Sequence, residues 1–202
     1  MISALEPKDF IRGLIFDLDG TLADTMPLHL DAWKATAEYW DVAITAKMIK
    51  DRLGIPTIQV IQELNELYNW SVDPVAFRLK KNEFYVEMKR KKGKIQPIDS
   101  VAAIARKYHG QLPMSIGTGS IKKNATAALS DLNMSDHFVA VITAEDVERH
   151  KPDPSTFLKC AQAMSVQPSE CLVYEDSPLG IEAALSGGMH AVNIITHEVF
   201  HP

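Results

Sequence analysis

The chain has 202 residues, with 21 Lys+Arg against 26 Asp+Glu for a formal charge of −5; 46% of residues are hydrophobic, and there are 10 Gly and 11 Pro. These proportions exclude collagen-like, disordered and low-complexity classes and suit one domain of about 100–200 residues, or one enlarged by an insertion. The mild acid excess lacks the basic field that attracts nucleic acid or an anionic membrane, and no apolar run nears the ~20 residues of a membrane span. The opening stretch MISALEPKDFIRG has acids where a signal peptide has bases, and no long apolar segment. Cys160 and Cys171 form no CxxC and lie in apolar periodic segments, so they read as reduced core residues of a cytoplasmic protein.

Along the chain, residues 11–16 are a short apolar run that ends abruptly in Asp17-Leu18-Asp19-Gly20-Thr21, the pattern of a buried strand feeding a loop. Helical patterns then follow over 27–40, 57–68 and 73–89, carried by Leu30, Trp33 and Ala37, by Ile58, Ile61 and Leu64, and by Phe77, Phe84 and Met88. A connection of about 70 helical residues far exceeds an ordinary crossover. It predicts an inserted helical domain over 25–94 within a core made of 1–24 and 95–202. The basic run 89–94 reads as a solvated helix end, where positive charge suits the macrodipole. From residue 99 onward, helical segments alternate with apolar runs at 112–118, 138–143, 171–174 and 190–195. This alternation predicts an α/β fold, a doubly wound, Rossmann-like and mainly parallel sheet.

Ligands of such sheets bind beyond the carboxyl ends of the strands. The residues that follow each proposed strand are therefore the candidate site. They are Asp17, Asp19 and Thr21; Thr118, Gly119 and Ser120; Glu145, Asp146, His150 and Lys151; and Glu175 with Asp176. Four carboxylates meeting at one rim repel strongly unless something cationic sits among them, and hard oxygen donors favour Mg²⁺. A metal beside Lys151 and the hydroxyl and amide donors makes an electropositive pocket next to a carboxylate, which phosphoryl transfer requires. An EF-hand reading of Asp17-x-Asp19-Gly20 fails because Thr21 and Leu28 fall where ligands are needed.

These motifs resemble the haloacid dehalogenase-like hydrolases. The resemblance is carried by Phe16-Asp17-Leu18-Asp19-Gly20-Thr21-Leu22-Ala23-Asp24-Thr25, Gly117-Thr118-Gly119-Ser120, His150-Lys151-Pro152-Asp153-Pro154 and Glu175-Asp176-Ser177-Pro178-Leu179-Gly180-Ile181. The inserted helices resemble the α-helical cap of the β-phosphoglucomutase-like subgroup, and the stretches 141–160 and 169–188 resemble bacterial fructose-1-phosphate phosphatases. The resemblance implies that Asp17 is the nucleophile and Asp19 the acid and base. It also implies that Thr118, Gly119 and Lys151 hold phosphate, and that Asp17, Asp19, Glu175 and Asp176 form the Mg²⁺ site. His29, Gly54, Lys80 and Lys81 are candidate substrate residues from the cap. The expected activity is Mg²⁺-dependent hydrolysis of a small phosphorylated sugar, fructose 1-phosphate first, by a cytoplasmic enzyme acting without nucleic acid or membrane, as a monomer in preference to an oligomer. A β-phosphoglucomutase-like isomerase is the alternative. Thr57, where the mutase has an arginine for a second phosphate, and Thr21, where it has valine, favour hydrolysis. A signalling receiver also uses aspartate, Mg²⁺ and lysine, but takes its phosphate after a middle strand and needs no helical lid. The cap is expected to hinge near 23–26 and 92–97.

Overall fold

Residues 5–52 and 54–202 are described by the computed structural model; Leu53 and the first four residues of the N-terminal stretch lie outside the described residues. Five strands run parallel: β1 (Gly13–Phe16), β2 (Met114–Gly117), β3 (Ala140–Ile142), β4 (Cys171–Glu175) and β5 (His190–Asn193). The two-residue β6 (Val199–Phe200) closes one edge antiparallel, giving the order β3-β2-β1-β4-β5-β6. Leu14 pairs with Met114 on one side and Leu172 on the other, so β1 is central. Every residue of β1, β2 and β4 is buried, as continuous apolar runs must be when helices cover both faces.

The period of two along each strand sorts the side chains between two cores. Leu14, Phe16, Met114, Ile116, Leu172 and Tyr174 pack with α5 (Asp99–Tyr108) and α6 (Lys122–Asp131). Ile15, Cys171 and Val173 face α7 (Ser155–Met164) and α8 (Pro178–Ser186). Cys160 and Cys171 are both buried and free, and burial pushes the Cys171 thiol up to about 12. No helix among the described residues is long and apolar enough to cross a membrane.

Between β1 and β2 lie α1 (Met26–Tyr39), α2 (Ala46–Lys50), α3 (Thr57–Tyr68) and α4 (Pro74–Lys92). They bury a core of their own built from Trp33, Ile49, Ile61, Leu64 and Phe77. They also lean on the sheet's first core through Leu28, Ala32 and Tyr85. The chain leaves and rejoins the sheet through two adjacent segments: Asp24 donates its amide to the Gln96 carbonyl at 2.9 Å, and Ile98 to that of Leu22 at 3.0 Å. The basic end of α4 is partly paired, Lys89 with Asp131 at 2.9 Å and Lys91 with Glu87 at 2.6 Å. Two elements lay below the reach of sequence pattern. In α2 only Ile49 is buried over five residues, too little for a helical period, and β6 is too short to alternate.

Candidate active site

With β1 between β2 and β4, the loops after these three strands meet beyond their carboxyl ends. Asp17, the first residue past β1, donates its amide to the Tyr174 carbonyl at 3.0 Å, which extends the ladder and fixes where its side chain begins. Lys151 Nζ donates to Asp17 Oδ1 and to Glu175 Oε1, each at 2.6 Å, with no more than 8% exposure for any of the three side chains. Glu175 Oε2 accepts from the Ser177 amide at 2.7 Å and hydroxyl at 3.0 Å, so both its oxygens are committed. The close approach of α8 depends on Gly180: a Cβ there would lie 1.8 Å from Glu175 Oε1. Likewise, Gly20, at φ +89°, leaves room for Asp176 Oδ2, which a Cβ would meet at 2.6 Å. Asp176 Oδ1 accepts from the Thr21 hydroxyl at 3.0 Å.

Asp19 is the best-solvated acid in terms of protein donors. Its Oδ1 accepts from Thr25 Oγ1 at 2.7 Å and faces His29 Nε2 at 3.1 Å, and its Oδ2 accepts from Ser120 Oγ at 2.5 Å and Thr118 Oγ1 at 3.3 Å. Burial alone would raise Asp19, but the His29 charge and these donors outweigh it and hold the carboxyl well below the ordinary range. The other acids go the opposite way. Burial raises Asp17 strongly, against the pull of Lys151 and with the repulsion of Glu175 and Asp176. Burial and the Glu175 charge lift Asp176 to about 7. Burial opposes the charge on Lys151, yet Asp17 and Glu175 keep it raised above the usual lysine value.

A family model described as haloacid dehalogenase-like hydrolase matches residues 14–194. The chain belongs to that family. It is 39% identical over 182 residues to fructose-1-phosphate phosphatase YqaB of Escherichia coli, covering 90% of this chain and 95% of the relative. It is 31% identical over 192 residues to the β-phosphoglucomutase of Bacillus subtilis, covering 91% and 83%. A solved hydrolase from Pseudomonas syringae superposes with a TM-score of 0.83 at 23% identity, over 92% of this chain and 85% of that one. A β-phosphoglucomutase from Clostridium difficile does so at 0.76 and 27%, over 91% and 84%. Membership of a hydrolase family removes the signalling-receiver reading.

In this haloacid dehalogenase-like hydrolase, Asp17, Asp19, Thr118, Gly119, Glu175 and Asp176 line one cavity of about 110 Å³ beneath the inserted helices. From those helices come His29, which stacks on Tyr85 at 4.5 Å, and Gly54 and Lys81. Gly54 sits at φ +89°, and a Cβ on it would come within 3.2 Å of Lys151 Cδ; its carbonyl would lie 3.1 Å from a Cβ on Gly119. The loop ahead of α3 is thus pressed onto the phosphate-loop candidates. Lys81 Nζ donates to Thr57 Oγ1 at 3.3 Å over the Trp33 ring, and burial lowers it to about 8.

Lys80 is not brought to the site. One helix position from Lys81, it points about 100° away, pairs with Glu83 at 2.7 Å and lies over the Tyr39 ring. Glu145 and Asp146 do not line the cavity that holds Asp17 and Asp19: Glu145 accepts the Lys122 amide at 2.7 Å, and Asp146 accepts from Thr143. Conversely, Thr25 on Asp19 and Arg52 in the cavity wall were not singled out in the sequence. Arg52 is spoken for by Glu63 at 3.1 Å, whereas Thr25, six residues past Asp19, closes the first motif but carried no role there.

Proposed function

We propose that the hydrolase is a Mg²⁺-dependent phosphatase of a small phosphorylated sugar, with fructose 1-phosphate the best single candidate. The observation that carries this reading is Lys151 buried between Asp17 and Glu175, with Asp176 and Asp19 on the same cavity wall and Asp19 held by three hydroxyls and His29. The likeness to a fructose-1-phosphate phosphatase supports the substrate class. The donor set suits Mg²⁺: every candidate ligand is a hard oxygen, and Asp17 and Asp176 are both raised by burial and by the neighbouring carboxylates. Asp17, Asp176 and the Asp19 carbonyl would hold the ion. Glu175, whose oxygens are already taken, would fix Lys151 instead. The metal would neutralise charge on the phosphate.

In this reading an oxygen of Asp17 forms a bond to phosphorus as the bond to the sugar oxygen breaks. The electron pair leaves with that oxygen, which takes a proton from Asp19. The aspartyl-phosphate is then cleaved by water, whose proton returns to Asp19. The donors around Asp19 favour the ionised state it needs in this second step. His29, 3.1 Å away, fixes the position of that carboxyl in both steps. Lys151 offsets charge on Asp17 and on the phosphoryl oxygens beside it. Thr118 and the Gly119 amide hold the phosphate, and the inserted helices act as a lid that keeps out bulk water. The free buried thiols suit a reducing, cytoplasmic setting.

The test is phosphate release from a panel of sugar phosphates, with Mg²⁺ and with chelator. Asp17→Asn should lose at least a thousandfold, about 4 kcal/mol at 1.4 kcal/mol per tenfold, and chelation should abolish turnover. Full activity in Asp17→Asn overturns the mechanism. Conversion of β-glucose 1-phosphate to glucose 6-phosphate faster than phosphate appears would instead establish the mutase.

A further inference from the structure

At the end of the sheet opposite the catalytic rim, two connections leading into β2 and β3 bring three metal-ligating side chains together. His109 ends α5, its amide donating to the Ala105 carbonyl at 3.1 Å. Asp136 and His137 lie in the turn between α6 and β3. That turn is anchored on both sides: the His137 amide donates to the Met134 carbonyl at 3.1 Å, and the Val139 amide to that of Met114, the first residue of β2, at 2.8 Å. Because β2 and β3 pair in parallel, both connections arrive at the amino ends of these strands, away from Asp17, Thr118 and Glu175.

The imidazoles of His109 and His137 stack with centroids 4.2 Å apart and 23° between their planes. His137 Nδ1 faces Asp136 Oδ1 at 3.0 Å, and one nitrogen of each histidine and a carboxylate oxygen of Asp136 all lie within 4.8 Å of one another. Two ligands held by one Zn²⁺ at about 2.0–2.1 Å in a tetrahedron stand about 3.3 Å apart, so the Asp136–His137 pair is already near that spacing. Both His109 and Asp136 are exposed, so modest side-chain rotation completes the set. The hydrogen bond from His137 holds the Asp136 carboxyl below its ordinary range, which keeps it ionised at neutral pH as a ligand must be. Two stacked rings repel when both carry a proton, whereas one ion shared by two neutral rings and a carboxylate satisfies all three. Imidazole nitrogen with a carboxylate suits Zn²⁺, while Mg²⁺ prefers an octahedron of oxygens. The molecule also supplies a contrast: His190 and His201 approach at 2.9 Å between Nδ1 atoms, but no third histidine, cysteine or carboxylate joins them within 4.8 Å among the described residues.

We propose that His109, Asp136 and His137 form a surface Zn²⁺ site, separate from the catalytic acids, with water completing the tetrahedron. The bound ion clips the end of α5 to the turn ahead of β3. It takes no part in phosphate release. Its consequence is stability, since an ion that binds only the folded chain shifts unfolding upward.

The test uses the untagged full-length chain, stripped of metal and then held in excess Mg²⁺ to compete for the rim acids. Calorimetric titration with Zn²⁺ should find one site per chain that depends on these side chains, and saturating Zn²⁺ should raise the unfolding temperature. Loss of even an outer partner of a metal ligand costs about 10–100-fold in affinity, so His109→Ala and His137→Ala should each weaken the site tenfold or more and cancel the thermal shift. Asp136→Ala, at a side chain 83% exposed, should do the same with little burden on the fold. His201→Ala should leave binding unchanged. Co²⁺ in place of Zn²⁺ locates the ion, because its paramagnetism should broaden the imidazole NMR signals of His109 and His137 and spare those of His190 and His201. Failure to bind Zn²⁺ in excess Mg²⁺, unchanged affinity in either His109→Ala or His137→Ala, or a loss in His201→Ala instead would overturn the proposal.

Discussion

The two walls of the site are built on opposite electrostatic plans. On the sheet side, charge is matched to charge: Lys151 sits between Asp17 and Glu175 at 2.6 Å each, and Asp19 is surrounded by hydroxyls and His29. On the side of the inserted helices, the buried Arg78 Nε has no hydrogen-bond partner among the described residues, and Lys81 Nζ donates to Thr57 beside the Trp33 ring. A matched wall is rigid before substrate arrives, which suits chemistry that depends on preorganised charge. An unmatched wall gains partners only when something binds, which suits selection among substrates. The contrast also follows the packing. The rim acids stand at the ends of wholly buried central strands, while the helical wall has its own small core and rejoins the sheet through paired connecting segments.

Three substitutions probe this contrast. Removing the central cation should have the largest effect on the fold: Lys151→Met leaves Asp17 and Glu175 buried without their partner. In metal-free buffer, urea unfolding should show a loss of about 3–5 kcal/mol, accompanied by loss of turnover. A stability near wild type would show that protonation of the acids replaces the lysine. Gly180→Ala comes next. Its Cβ would overlap Glu175 Oε1 at 1.8 Å, so a cost of about 1–3 kcal/mol is expected from overpacking, and displacement of Glu175 should slow turnover as well. Thermal unfolding and phosphate release on the same sample check both. Smallest is Lys80→Ala, on the helix that carries Arg78 and Lys81 but paired with Glu83 away from the cavity. Stability should stay within about 0.5 kcal/mol and kcat/KM should be unchanged; a clear loss of activity would mean that the face of α4 has been misassigned.

Much of the sheet side could be read from sequence because its logic is local. A buried strand of a covered sheet is an apolar run, and the residue ending it is necessarily at the ligand-binding edge, so Asp17, Thr118 and Glu175 announced themselves by position. The same rule misfired after β3. Glu145 and Asp146 follow that strand too, but β3 is the edge strand; Asp146 is spent on the Thr143 amide and hydroxyl of its own turn, and Glu145 on the Lys122 amide at the start of α6. On the helical side the difficulty was angular. Lys80 and Lys81 are neighbours in sequence, and nothing local says which one faces inward; packing of α4 against α1 and α3 decides it. Arg78 carried no signal, since an arginine on an amphipathic helix is ordinarily solvated and only the tertiary arrangement buries its Nε.

The sequence by itself determined the class of sheet, the helical insertion after the first strand and the acids that line the rim, because apolar runs, periodicity and strand ends are properties of neighbouring residues. The tertiary structure alone decided which cations those acids meet: Lys151 reaches both Asp17 and Glu175, and His29 comes up to Asp19 beneath the inserted helices. Those facts depend on how far apart groups 24, 100 or more residues distant in the chain come to rest, and only the packing of the helices on the sheet sets such distances.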